Sequence, residues 1–246
     1  MAEYDTIANL FQASRELPFR WHSEAYTYLK EIGDVTDLRI LDLACGEGIY
    51  SRYFKQQGAA QVVGVDISPE MIALARAAEI QNPLGVEYLV ADVTGLEKIG
   101  EFDLVVSSYL VNHAPDQSTL LKMLQAIAKN LKPQGRTIHV TNNLGQAPET
   151  FDICTPYGFT KTAQLPLTEG TPLEVGFILP DGTEFKVIDF YLSPTTYEQT
   201  FIQAGFTPIQ WIAPEVSSEG IKELGKDYWQ AWLTYKPIII IKSKLI

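Results

Sequence analysis

Ile40-Leu41-Asp42-Leu43-Ala44-Cys45-Gly46-Glu47-Gly48 sets three branched aliphatic residues around one acid and follows them with small residues at 44, 46 and 48. Such a run reads as a buried strand that enters a tight turn and then a helix starting near Ile49. Small residues permit positive-φ backbone in the turn, and the first amides of the helix are left to bond whatever lies over it. Asp42 stands at the carboxyl end of the strand, where open α/β sheets receive ligands. Taken alone, the segment also fits an ordinary glycine-containing strand-to-helix turn.

Further along the chain, Val62-Val63-Gly64-Val65-Asp66 is a second apolar strand ending in an acid, 18 positions beyond Gly48. Nucleoside-binding folds place at about this spacing a carboxylate that accepts both ribose hydroxyls. The competing role for Asp66 is a helix-terminal acid ahead of Ser68-Pro69-Glu70. A dinucleotide fingerprint G-x-G-x-x-G is not met, because Ile49 stands where its third glycine belongs.

From Arg39 onward, short Val/Ile/Leu runs alternate with helical patterns, which predicts βαβ units and a parallel sheet. Strands are expected at 40–43, 62–65, 86–90, 104–106 and 137–140. A helix carries Leu120, Leu124, Ile127 and Leu131 and is stopped by Lys132-Pro133-Gln134-Gly135. Ahead of the core, one short helix through Ile7, Leu10 and Phe11 ends before Pro18, and a second carries Trp21, Ala25, Tyr28 and Ile32; together they form a cover. Residues 142–182 hold five of the fourteen prolines, which excludes a helix of any length and predicts a long insertion. It ends in a hairpin, 173–179 and 185–190, around Pro180-Asp181-Gly182-Thr183. The core then resumes with a helix at 195–204, a strand at 208–212, one helix carrying Ile221, Leu224, Tyr228 and Trp232, and a strand at 238–241.

The acid-then-small-residue pattern at 42–48 resembles motif I of class I S-adenosylmethionine-dependent methyltransferases, with Ala44 in place of the usual first glycine. The resemblance extends over residues 36–144 and implies an α/β fold: a Rossmann-like seven-stranded methyltransferase sheet with an N-terminal helical cover and an inserted cap after the fifth strand. A single domain 1–246 follows, divided into N-terminal helices 1–35, cofactor-binding core 36–144, substrate cap 145–194 and core completion 195–246. The same resemblance implies the cofactor contacts. Asp42, Ala44, Cys45, Gly46 and Gly48 form the turn; Asp66 and Ile67 hold the ribose; Met71 touches adenine or packs in the core; Asp92, with Val93, accepts from the adenine amino group or serves a turn; Ser107 ends the fourth strand.

The stretch Tyr4 to Arg20, with Tyr109-Leu110-Val111-Asn112-His113, is also similar to small-molecule methyltransferases of the toxoflavin-synthase type. That likeness places Tyr4 over the cofactor and Arg20 on the methionine carboxylate, the alternative for Arg20 being a solvated side chain before Trp21. The implied cofactor is S-adenosylmethionine, with S-adenosylhomocysteine as product, and no metal.

Composition bounds the partners. With 46% hydrophobic and 20% charged residues the chain is of the folded, globular kind. Its net charge of −11 repels phosphate backbones, so nucleic acid is not expected as substrate. The two cysteines, Cys45 and Cys154, match no metal or disulfide framework, and no apolar run reaches a membrane span. A cytoplasmic protein acting on a small molecule is expected, its oligomeric state open. Methyl transfer needs positioning above all, and a general base only where the acceptor must lose a proton early. Of the three histidines, His113 is the candidate base, or else structural; His139 falls inside a strand and His22 on the cover. The acceptor pocket is expected between the cover and the cap, with Tyr109 as a second catalytic candidate and Asn112, Tyr157 and Tyr191 as substrate contacts. Two other readings stand beside an enzyme of this kind: a non-catalytic S-adenosylmethionine-binding regulator and a nicotinamide oxidoreductase.

Overall fold

The computed structural model describes Asp5 and residues 7–246. In chain order the strands are β1 (Arg39–Leu43), β2 (Gln61–Asp66), β3 (Glu87–Val90), β4 (Phe102–Ser108), β5 (Leu131–Asn142), β6 (Phe159–Ala163), β7 (Thr171–Ile178), β8 (Glu184–Tyr191), β9 (Gln210–Ile212) and β10 (Ile238–Lys244). Seven of them make one sheet in the order β3-β2-β1-β4-β5-β10-β9. The first five run parallel, while β10 lies antiparallel between β5 and β9. The order reverses between β1 and β4, which opens a crevice at their carboxyl ends.

The helices are α1 (Ala8–Ala13), α2 (Tyr26–Ile32), α3 (Ile49–Gln56), α4 (Pro69–Gln81), α5 (Gln117–Asn130), α6 (Pro194–Gln203), α7 (Ser218–Leu224) and α8 (Lys226–Tyr235). Their starts follow capping chemistry: Ser68, Asp116, Ser193 and Ser217 each accept a bond from the first turn they precede, with proline at the first position of α4 and α6. Alternation along the parallel strands divides the core. Ile40, Val62, Leu104 and Val106 pack on one face with Tyr28, Phe54 and Trp232, while Leu41, Val63 and Val105 pack on the other with Leu124, Ile127 and Phe201. His139 is buried inside β5 between Ser107 (2.7 Å) and Thr137 (2.8 Å). Burial drops its pKa to about 3, so it is a neutral packed histidine.

Four details differ from the sequence reading. Helix α5 stops one residue early, at Asn130, whose Nδ2 donates to Ala126 O (2.9 Å) and whose Oδ1 accepts from Ile99 N (2.8 Å); Leu131 already belongs to β5. The single helix expected through 221–232 is broken at Gly225 (φ 83°) into α7 and α8. The second cover helix opens as a π-helical turn, Arg20–Ala25. The proline-rich insertion does contain a 3-10 helix, Pro148–Tyr157, with Pro148 at its first position and Pro156 inside its last turn, and its hairpin gains a third strand, β6, paired antiparallel to β7. This cap is not a separate layer. Phe159 and Phe177 belong to the same apolar cluster as Phe19 and Trp232, with Phe19 and Phe159 ring centres 5.0 Å apart.

Candidate functional site

A cavity of about 250 Å³ lies over the carboxyl ends of β1, β2 and β4. The turn after β1 is its floor: Ala44 and Gly46 line it, both at φ 55°. Ala44 thus adopts the left-handed backbone that glycine takes more cheaply. Gly48 (φ 82°) does not reach the cavity, and a Cβ there would meet Tyr88 Oη at 2.3 Å, so only glycine fits. Asp66 stands on the cavity wall with both oxygens fixed from behind, Oδ2 accepting from Gly46 N (2.8 Å) and Oδ1 from Ser68 N (2.9 Å). Burial raises its pKa, and the backbone bonds oppose that rise. Asp66 thus ties the turn of β1 to the start of α4, as a helix-terminal acid does, and also faces the cavity.

Ile67, Met71, Asp92 and Val93 line the same space. Met71 is held in place by the cap of α4, its amide donating to Ser68 Oγ at 3.2 Å. Asp92 Oδ1 accepts from Thr94 N (2.8 Å), which makes it a turn acid as well as a wall of the cavity.

A side chamber of about 50 Å³ continues from the floor toward the cover, bounded by Arg15, Arg20, Glu24, Cys45 and Tyr50. Arg20 is not solvated: it is 7% exposed, with its guanidinium 5.0–5.3 Å from the ring centres of Phe11, Phe19, Tyr109 and Phe177. Its Nη1 donates to Glu24 Oε2 (2.9 Å), while Nε and Nη2 are buried with no hydrogen-bond partner. Burial alone would lower its pKa, but Glu24, through charge and hydrogen bond, together with Tyr109 and Tyr50 outweighs this and the pKa is raised. Glu24 also accepts from Tyr109 OH at 2.6 Å. On the outer side, Glu47 of the β1 turn accepts from Gln12 and pairs with Arg15 (2.5 Å), clamping the cover onto the turn.

Several expected site residues do not line the main cavity. Asp42 is 2% exposed and stands behind the cavity, accepting from Ser51 Oγ (2.5 Å) in α3; burial pushes its pKa up to about 7. Cys45 faces the side chamber only. Ser107 points to His139 on the opposite face, and strand alternation brings Ser108 to the cavity instead. Tyr157 is packed under the cap, donating to Tyr228 O (2.7 Å) and accepting from Trp232 N (2.9 Å), and Tyr191 lines a separate open groove on the cap. Tyr4 falls outside the described residues. Glu24, Glu47 and Asp189 were missed; an acid between two glycines was the only sequence hint, and it concerned Glu47 alone.

On the acceptor side, Tyr109 (φ 59°) and His113 both line the main cavity. His113 Nδ1 lies 3.2 Å from Ile188 O and 3.5 Å from Asp189 Oδ1, both in β8 of the cap. Asn112 Nδ2 donates to Asp189 Oδ1 at 2.7 Å. No helix among the described residues is long and apolar enough to cross a membrane.

Residues 40–135 match the family described as "Methyltransferase domain". The chain is 33% identical over 149 residues to a ubiquinone biosynthesis O-methyltransferase of Xanthomonas oryzae pv. oryzae (strain PXO99A), a match covering 60% of this chain and 59% of that protein. The chain therefore spans about three fifths of the length of the curated relatives it matches. Its fold is that of an S-adenosylmethionine-dependent methyltransferase from Mesorhizobium loti (TM-score 0.64, 20% identity, 90% of this chain and 97% of that one). It is also that of DhpI solved with SAM and HEP (TM-score 0.63, 18% identity, 98% and 93%). Residues 40–135, with the seven-stranded sheet built around them, thus match a methyltransferase domain, and the chain shares the fold of S-adenosylmethionine-dependent methyltransferases.

Proposed function

We propose that this chain transfers a methyl group from S-adenosylmethionine to an oxygen atom of a small-molecule acceptor. The observation that carries the reading is one largely apolar cavity with Asp66 and Asp92 on its walls and two unpartnered nitrogens of Arg20 in the chamber beyond. That donor set fits the cofactor's three parts. Asp66 would accept from the ribose hydroxyls, Asp92 from the adenine amino group beside Ile67, Met71 and Val93, and Arg20 would donate to the methionine carboxylate. Asp42, Gly48 and Ser107 serve from behind the walls by fixing the turn and the strand ends. When bound, S-adenosylmethionine supplies an electrophilic methyl group. The oxygen acceptor is favoured by the O-methyltransferase relatives in ubiquinone biosynthesis.

The chain's own residues handle water and protons. Phe11 and Tyr109 line the cavity, and their rings would keep solvent from a bound methyl group. A neutral His113 that donates Nδ1–H to Ile188 O would carry its lone pair on Nε2, the form in which an imidazole serves as general base for a hydroxyl acceptor. A cytoplasmic location and action on a small molecule rather than nucleic acid belong to the same proposal.

Conversion of S-adenosylmethionine to S-adenosylhomocysteine, followed over a panel of hydroxylated acceptors, tests it. The expected result is acceptor-dependent turnover whose kcat falls by about 100-fold or more in His113→Gln, with acceptor KM within a few-fold. Cofactor binding without turnover on any acceptor would favour the regulatory reading, and an unchanged kcat in His113→Gln would remove the base.

A further inference from the structure

A third, inner space of about 20 Å³ shares Phe11 and Tyr109 with the main cavity and Arg20 with the side chamber. A space of that size admits one water-sized group and no ring. Asn112, Asn142 and Asp189 supply its polar wall, and Phe19, Phe159 and Val187 are among its apolar ones. Asp189, contributed by the cap, is 2% exposed. Its Oδ1 accepts from Asn112 Nδ2 (2.7 Å) and its Oδ2 from Asn142 Nδ2 (2.5 Å). Those bonds fix the Asn112 amide with its nitrogen toward Asp189, and its Oδ1 is left buried without a hydrogen-bond partner. Buried amide oxygens in folded chains are normally paired, so a partner with a donor is missing from this wall.

Charge narrows what that partner is. The Arg20 guanidinium borders the same space, so a cation there would meet a like charge; an anion would meet the Asp189 carboxylate. A neutral donor meets neither penalty.

We propose that this inner space seats one uncharged, hydrogen-bond-donating group of the methyl acceptor, a hydroxyl or an amide N–H, received by Asn112 Oδ1 beside Asp189. The atom to be methylated stays in the main cavity near Tyr109 and His113. Asp189 acts as a positioning residue: it orients both asparagine amides, so the cap sets specificity without touching the cofactor. The proposal rests on the methyl-transfer reading above.

Calorimetry on the protein saturated with S-adenosylhomocysteine tests it with three probes: phenol, catechol and 2-methoxyphenol. Catechol carries a second donor, which 2-methoxyphenol replaces with an acceptor of similar size. Catechol should bind at least tenfold more tightly than either other probe, since it alone can place one hydroxyl in each space, and the Asn112 side-chain amide signals in a nitrogen-15 NMR spectrum should move as it binds. Val187→Ile adds one methylene to the inner space and leaves the Asn112–Asp189 bond intact; it should cut the preference below threefold at an unchanged melting temperature. Asp189→Asn should do the same if it folds. Equal affinities for catechol and 2-methoxyphenol, no binding of any probe, or an undiminished preference in Val187→Ile would overturn the proposal. Failure of S-adenosylhomocysteine to bind in the first step would remove the cofactor reading, and this inference with it.

Discussion

Ala44 stands in the β1 turn where the motif it resembles usually has glycine, and it does so at φ 55°. A left-handed backbone costs a residue with a Cβ about 1–2 kcal/mol, and glycine gives back about 0.4–1 kcal/mol through the unfolded chain. Ala44→Gly should therefore stabilise the protein by about 0.5–1 kcal/mol, read as a higher urea midpoint at an unchanged slope; a lower midpoint would contradict the strain argument. At this scale the sequence was informative about identity and less so about direction. Asp66, Met71, Asp92 and Val93 reach the cavity as spacing and resemblance suggested, because each follows a strand end whose position the alternating pattern fixes. Ser107 and Ser108 differ by one step of that alternation, and a pattern of apolar residues alone does not phase two adjacent serines at a strand end. Asp189 was illegible because it is brought beside Asn112 and His113 only by the packing of the cap, 77 and 76 positions away in the chain.

The cap shows the same limit for an element. Its proline content correctly marked a break in the βα alternation, but the third strand β6 has only Phe159 and Lys161 buried within a short run and carries no local signal strong enough to stand out. What ties it down is tertiary: Phe159 packs on Phe19 of the cover (5.0 Å) and near Trp232 of α8 (6.0 Å), so cap, cover and sheet share one core. Phe159→Ala should cost about 3–5 kcal/mol, as other buried phenylalanine truncations do. Because the core is shared, the variant should unfold in one transition, coincident by tryptophan fluorescence and by far-ultraviolet circular dichroism. Two separated transitions, the cap melting first, would show the cap to be an independent layer. A helix broken by Gly225 makes the opposite case, since the glycine was visible and its left-handed conformation was not.

For the molecule as a whole, the buried acids beneath the crevice at the strand ends make stability depend on pH. Burial raises the Asp42 pKa from 3.8 to about 7, a change worth about 4 kcal/mol. A group whose folded pKa lies above its unfolded one holds its proton more tightly when folded. Its contribution is full below pH about 4 and is lost as pH rises through about 7. Asp42→Asn keeps an oxygen for Ser51 Oγ and cannot ionise. Its stability relative to the parent protein should therefore be greater at pH 8 than at pH 5, by urea titration at both; a difference that does not change with pH would place the ionised carboxylate in a better-solvated setting.

The fold class itself was legible from two strands and one turn, and the cofactor proposal depends on the same few residues. Its most direct test is a calorimetric titration with S-adenosylhomocysteine, run in parallel with NADH and repeated on Asp66→Asn, which keeps one acceptor oxygen but not the charge. Micromolar binding of S-adenosylhomocysteine, no binding of NADH, and a loss of at least about tenfold, or about 1.4 kcal/mol, in Asp66→Asn are expected. Binding of NADH without S-adenosylhomocysteine, or an affinity for S-adenosylhomocysteine that Asp66→Asn leaves unchanged, would contradict the assignment of this cavity to the cofactor.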